Sequence, residues 1–153
     1  MATTAPTLEN LILNLSHEIT VRASLDVTFD SLLEQMGPAS ENGEGKLMPM
    51  VLEAWPGGRW FRDLGQGNGH FWGHVQAIKR PTLLEITGPL FMSSPVVSNM
   101  QYRLKEVAGG TLISFRHSAL GFLPDDFKEN FLRGWTPLFE RVRRQAESVK
   151  KVH

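Results

Sequence analysis

Residues 127–149 read FKENFLRGWTPLFERVRRQAESV, and the spacing of their apolar positions decides the fold. Phe127, Phe131, Trp135, Leu138, Val142, Gln145, Ala146 and Val149 recur every three or four residues. Glu129, Arg133, Glu140, Arg143, Arg144 and Glu147 take the remaining faces. One apolar stripe opposite a charged face marks a long helix laid across an apolar surface. Pro137 is expected to kink or divide it, because proline lacks the backbone donor and crowds the preceding turn. Arg143, Arg144, Lys150 and Lys151 suit the negative end of the helix dipole, which explains this basic cluster without a nucleic-acid partner.

The surface for that helix has to come from the middle of the chain, which reads as strands. LMPMVLEAW ends at Pro56-Gly57-Gly58, a tight-turn signal, and RWFRDL resumes beyond it. GQGNG is a second turn, and HFWGHVQAIK follows, with Phe71, Gly73, Val75 and Ala77 expected on one face. TLLEIT, VVSNMQYRLKEV and TLISFRHSAL complete the run, the last two separated by Ala108-Gly109-Gly110. Short glycine-containing turns between successive strands imply antiparallel neighbours. Gly88 to Pro95 (GPLFMSSP) is a longer apolar loop that could lie across an opening.

Upstream, Ile19, Val21 and Ala23 alternate with polar neighbours, so the first strand is expected over His17–Ser24. Asp26 can cap a following helix that runs to about Met36, where Gly37-Pro38 stops it. Residues 1–16 are expected to be an N-terminal extension, disordered at its start. Leu8, Leu11, Ile12 and Leu15 fall at helical spacing, as in a short helix or arm. Such an arm would pack on the domain or contact a second copy in a homodimer. Residues 17–153 then form one domain, a size that buries a core without staples. Sixteen Lys+Arg balance sixteen Asp+Glu, so no net field points to nucleic acid or an anionic membrane. The absence of cysteine removes disulfides, thiolate metal sites and cysteine nucleophiles. No apolar run reaches the roughly 20 residues of a membrane span, and MATTAPTLENLILNLS lacks the pattern of a signal peptide. A cytoplasmic protein is the expectation.

Four segments, in order, carry a family resemblance: WPGGRWFRD at 55–63, GHVQAIKRPTLLEIT at 73–87, GGTLISFRHSALG at 109–121, and Gly134-Trp135 early in the last helix. Together they resemble the START-like, helix-grip superfamily (SRPBCC), and within it the family similar to the C-terminal domain of the heat-shock ATPase activator. The resemblance runs from Ile19 to about Ser148; residues 1–16 have no counterpart, and the insertion around Phe91-Met92 is variable in the family. It implies an α+β helix-grip fold: a curved antiparallel sheet of about six or seven strands around a long C-terminal helix, with short helices after the first strand. The superfamily hosts carriers, cyclases, oxygenase subunits and co-chaperone domains, so the fold alone names no function.

In such a fold the sheet and helix leave a cavity lined by inward strand positions and the helix stripe. Strand parity proposes Phe71, Val75, Met100, Tyr102, Ile113, Phe115 and His117, facing Phe131, Trp135 and Leu138. Trp55, Trp60, Phe91 and Met92 are expected at the mouth. Every one of these residue types also suits an ordinary filled core. His117 could act as acid, base or ligand anchor, or be a satisfied core histidine; Tyr102 could donate a hydrogen bond within a pocket. His70 and His74 should share the outer face, and without a third ligand they make no metal site. GQGNG and ENGEG lack the lysine of a phosphate loop, and Ser118 sits in no nucleophile elbow. No cofactor is expected. Three functions stay open: binding of a small hydrophobic or amphipathic molecule without catalysis, a cyclase- or hydrolase-like reaction using His117 with Tyr102, and contact with a chaperone.

Overall fold

The computed structural model describes residues 7–123 and 125–149, and for 125–129 the backbone alone. The expected disorder of residues 1–6, the side chain of Phe127, and Lys150 and Lys151 lie outside the described residues. The chain forms strand β1 (Ile12–Val21), helix α1 (Leu25–Met36), and strands β2 (Val51–Leu52), β3 (Arg59–Gly65), β4 (Asn68–Lys79), β5 (Leu83–Gly88), β6 (Val96–Val107) and β7 (Gly110–Gly121). Helix α2 (Asp125–Ser148) closes the fold. The seven strands make one antiparallel sheet in the order β1-β7-β6-β5-β4-β3-β2. It is a helix-grip fold: the curved sheet packs on α2, with α1 lodged between α2 and strands β6 and β7.

The N-terminal boundary falls elsewhere than the sequence suggests. Leu8–Leu11 make a single 3-10 turn, and β1 already starts at Ile12, paired with Leu120 of β7. Helical spacing of four apolar residues loses here to a long antiparallel ladder, which satisfies ten consecutive residues and buries Leu13. The cap of α1 also differs. Ser24, not Asp26, is the N-cap, its Oγ accepting from the Val27 amide at 3.3 Å; Asp26 sits in the first turn, where the helix dipole favours a carboxylate. Of the strand expected before Pro56, Val51–Leu52 forms β2 and Leu47 makes an isolated bridge to Glu41.

Helix α2 is one element through Pro137 rather than two. Its stripe holds it in place: Phe139, Val142 and Ala146 are buried against α1 and the sheet. At its far end the Arg22 amide donates to Glu147 at 2.9 Å, and the Arg143 guanidinium to the Thr20 carbonyl at 3.4 Å, tying the helix to β1. This packing outweighs proline's local cost of roughly 3 kcal/mol.

Candidate functional site

The two ends of α2 do different work. Its C-terminal half is sealed on the core, whereas its middle stands off from the sheet and leaves a cavity of about 470 Å³. That lies within the roughly 300–1,000 Å³ of ligand pockets. One wall is Phe131, Gly134, Trp135, Leu138 and Arg141 of α2; another is Trp60 of β3 with Trp72 of β4. The end of α1 (Gln35, Met36), the loop from Ser40 to Met48, and Phe91 of the β5–β6 loop close the remaining sides.

The strands reach this wall through a local irregularity. Trp60 pairs with Gly73 while the next residue, Phe61, pairs with Phe71, so Trp72 is an extra residue in β4. A bulge of this kind reverses the alternation of side chains. His70 and Trp72 therefore face inward, Phe71 and His74 face outward with ring centroids 4.9 Å apart, and Val75 returns to the core. A Cβ on Gly73 would meet the Thr87 carbonyl oxygen at 2.7 Å, so glycine permits the close approach of β5 at the bulge. The neighbouring loop is pinned to the same place. Leu90, buried at φ 58°, donates its amide to the Trp72 carbonyl at 2.8 Å and so sets Phe91 at the rim. A left-handed leucine is costly and persists because its side chain and amide are both fixed.

Each of these three tryptophans has its indole N–H bonded to a protein acceptor: Trp60 to the Met36 carbonyl at 2.8 Å, Trp72 to His70 Nδ1 at 2.8 Å, Trp135 to His117 Nδ1 at 3.1 Å. What remains for the interior is apolar ring surface. The rings form a connected wall: Trp60 stands edge-on to Trp72 at 5.0 Å, and Phe91 meets Trp72 at 5.9 Å, Phe131 at 5.9 Å and Trp135 at 6.2 Å. The Glu53 carboxylate holds the hairpin that carries Trp60, accepting from the Arg59 amide at 2.9 Å and guanidinium at 2.7 Å. Those hydrogen bonds lower the Glu53 pKa to about 2.

His117 lies behind the wall, fully buried. Nδ1 accepts from Trp135, so the ring proton is on Nε2, which donates to Ser98 Oγ at 2.9 Å. Burial lowers its pKa to about 4, and the ring is neutral at neutral pH. With both nitrogens engaged, it has no free atom for proton transfer. It is a satisfied core histidine, bonded to Ser98 and Trp135. Tyr102 is buried as well, and among the described residues its hydroxyl has no hydrogen-bond partner; burial raises its pKa above the ordinary phenol range.

Of the residues expected around the cavity, the structure gathers Trp60, Phe91, Phe131, Trp135 and Leu138. Val75, Met92, Met100, Tyr102, Ile113, Phe115 and His117 are core, packed behind the cavity rather than lining it. Phe71 is 40% exposed on the outer face because of the bulge, and Trp55 is 58% exposed beside the Pro56-Gly57 turn, away from the cavity. His70 and His74 do not share a face, for the same reason as Phe71. Among the described residues no group of three His, Asp or Glu is placed to hold a metal, and no helix is long and apolar enough to cross a membrane.

Sequence reading missed Trp72, Gln35, Gly134 and Arg141. Strict alternation through HFWG hid the first, although a glycine after paired aromatics hints at a bulge. Phe131, Gly134, Leu138 and Arg141 follow one another by three, four and three, so the last helix did signal Gly134 and Arg141.

No family model and no curated protein matches this sequence. Solved structures do match in shape. Protein CV1439 from Chromobacterium violaceum superposes with a TM-score of 0.70 at 14% identity, over 89% of this chain and 98% of that one. The di-domain ARO/CYC StfQ of the steffimycin biosynthetic pathway gives 0.64 at 10% identity, over 92% of this chain and 52% of its own. Ara h 8.0201 gives 0.63 at 15%, over 90% and 99%. At these identities the likeness is one of fold.

Proposed function

We propose that this protein binds a small hydrophobic or amphipathic molecule in the cavity between α2, the β3–β4 bulge and the Ser40–Met48 loop, without catalysing a reaction on it. The observation that carries this reading is the tryptophan arrangement. Three indole N–H groups are turned to protein acceptors, and a space of about 470 Å³ is left walled by ring faces. A core that merely failed to fill would not explain why each of these indole N–H groups already has a protein acceptor. Apolar surface of this kind gains free energy when a ligand removes it from water, by about 25 cal/mol per Å².

The reaction-based alternative depends on His117, and its two engaged nitrogens count against that role. Contact with a chaperone rests on the four segments that resemble the heat-shock ATPase activator domain. Two of their glycines have a purely structural use, since a Cβ on Gly58 would press into the Glu53 carbonyl and one on Gly110 into that of Val21. Those motifs therefore support the fold more than the partner.

The test uses N-phenyl-1-naphthylamine, a neutral probe whose emission rises in apolar pockets. Saturable binding by the native protein, lost in Gly134→Phe, is the expected result. Gly134 lines the cavity at an exposed position, and a Cβ there meets nothing within 4 Å, so a large side chain can be placed at this rim without displacing backbone. Equal binding by both proteins would overturn the assignment of the site.

A further inference from the structure

The cavity is apolar on the tryptophan side and charged on the other. Arg141 lines it with its side chain only 12% exposed. Its Nε donates to Gln35 Oε1 at 2.9 Å, and Gln35 is held in turn by its own donation to Gln145 at 2.7 Å. The position of the guanidinium is thus fixed from behind, by two helices at once. Glu41, on the Ser40–Met48 loop, comes to 4.0 Å of Nε, too far for a hydrogen bond, and its side chain is 36% exposed. Among the described residues the two terminal nitrogens, Nη1 and Nη2, make no hydrogen bond. These are the two groups whose paired N–H bonds match a carboxylate.

An apolar ligand that filled the cavity would strip water from those N–H groups and leave them unsatisfied, which is unfavourable for a buried cation. A ligand that brings its own acceptor avoids this. The charges near the guanidinium also favour an anion. Among the described residues Glu41 and Arg141 are the ionic residues of the lining, and Arg144 adds a further positive charge close by, so these three sum to one positive. Burial lowers the Arg141 pKa, Glu41 raises it and Arg144 lowers it further, the pattern of a cation that its protein partner compensates incompletely.

We infer that the ligand is an amphipathic acid: its apolar body lies on the Trp60, Trp72, Phe91 and Trp135 rings, and its carboxylate pairs with the outer face of the Arg141 guanidinium. This rests on the ligand-binding reading above and adds the chemical class. Glu41 is then a selectivity element, since its carboxylate disfavours a second anion and is displaced toward solvent when the ligand enters.

The experiment measures displacement of N-phenyl-1-naphthylamine by dodecanoate and by 1-dodecanol, which share a chain and differ in head group. The quantity read is the dodecanoate-to-dodecanol affinity ratio in the native protein and in three variants. Arg141→Gln should lower the ratio at least about ten-fold, equivalent to about 1.4 kcal/mol. Arg141→Lys should lower it less, keeping charge without the fork. Glu41→Gln, which leaves Arg141 in place, should raise it about five-fold, the scale of one unit-charge interaction near 4 Å. A ratio unchanged in Arg141→Gln and in Glu41→Gln would overturn the acid-head inference while leaving the pocket intact. If Arg141→Gln no longer takes up the probe, Arg141→Lys and Glu41→Gln decide the matter by the same ratio. If the native protein takes up no probe at all, the ligand-binding reading itself falls, and the inference with it.

Discussion

Acidification should destabilise this protein through His117 before most carboxylates are protonated. The folded ring is neutral, with Nδ1 held by Trp135 and Nε2 by Ser98, and it titrates near about 4 against an ordinary value of 6.5. Between those values the unfolded chain takes up a proton that the native state refuses. Stability then rises with pH across this window, because the unfolded state binds more protons there. The stabilisation is fully present above the unfolded pKa and is lost as pH falls through it. Between about pH 7.5 and about pH 4.5 the loss from this one group is about 2.5 kcal/mol, against a typical domain stability of about 5–15 kcal/mol. The assay is urea unfolding at closely spaced pH values for the native protein and for His117→Gln. The glutamine amide can still accept from Trp135 and donate to Ser98, but it cannot titrate. Subtracting the two curves removes the carboxylates common to both. The difference should be flat above about pH 7 and steepen below about 6.5. A difference curve flat down to pH 4.5, or one in which the native protein gains stability relative to the variant on acidification, would refute the neutral, doubly bonded ring.

Three other outcomes follow from single side chains. Tyr102→Phe should stabilise the fold by about 1 kcal/mol or more, since it removes a buried hydroxyl without a partner; a lower urea midpoint would show that the hydroxyl is bonded. Gly134→Ala should add about 0.8–1 kcal/mol through helix propensity, a rise of about 2–4 °C in melting temperature per kcal/mol, with no clash to offset it. Arg59→Ala should return Glu53 from about 2 toward the ordinary carboxylate range in an NMR titration, because hydrogen bonds from Arg59 are the principal cause of its depression. In the native protein this contribution is present above the ordinary carboxylate pKa and fades as pH falls toward 2.

The fold was largely legible because its signals repeat. β6 and β7 were expected at 96–107 and 111–120 and pair there with unbroken register, since twelve alternating residues leave one face to bury. The helix stripe from Phe131 to Ala146 was equally clear. Legibility failed where one local event overrides a period. The extra residue at Trp72 reverses the alternation of β4, moving Phe71 out and Trp72 in. Leu8, Leu11, Ile12 and Leu15 spelled a helix by spacing, yet Ile12–Ser16 became strand because β7 offered a free edge. Neither event leaves a periodic trace, so each is decided by tertiary pairing rather than by its own sequence.

His117 shows how a polar residue can matter to a binding site without touching its contents. Sequence parity placed it inward and so made it the natural choice for chemistry. The ring instead bridges Ser98 on β6 to Trp135 on α2, linking two layers of the fold through one tautomer. Its acceptor nitrogen is what lets the Trp135 N–H leave the cavity side and present ring surface there. An apolar residue at 117 would strand both the indole N–H and the serine hydroxyl in the core, at about 1–3 kcal/mol for each unsatisfied group. A tryptophan released in that way would be free to turn its polar edge toward the ligand space. The same reasoning covers Trp60 with the Met36 carbonyl and Trp72 with His70. What makes this interior apolar is therefore not the aromatic residues alone but three hydrogen bonds behind them, and those bonds depend on strand register and helix placement that no single segment encodes.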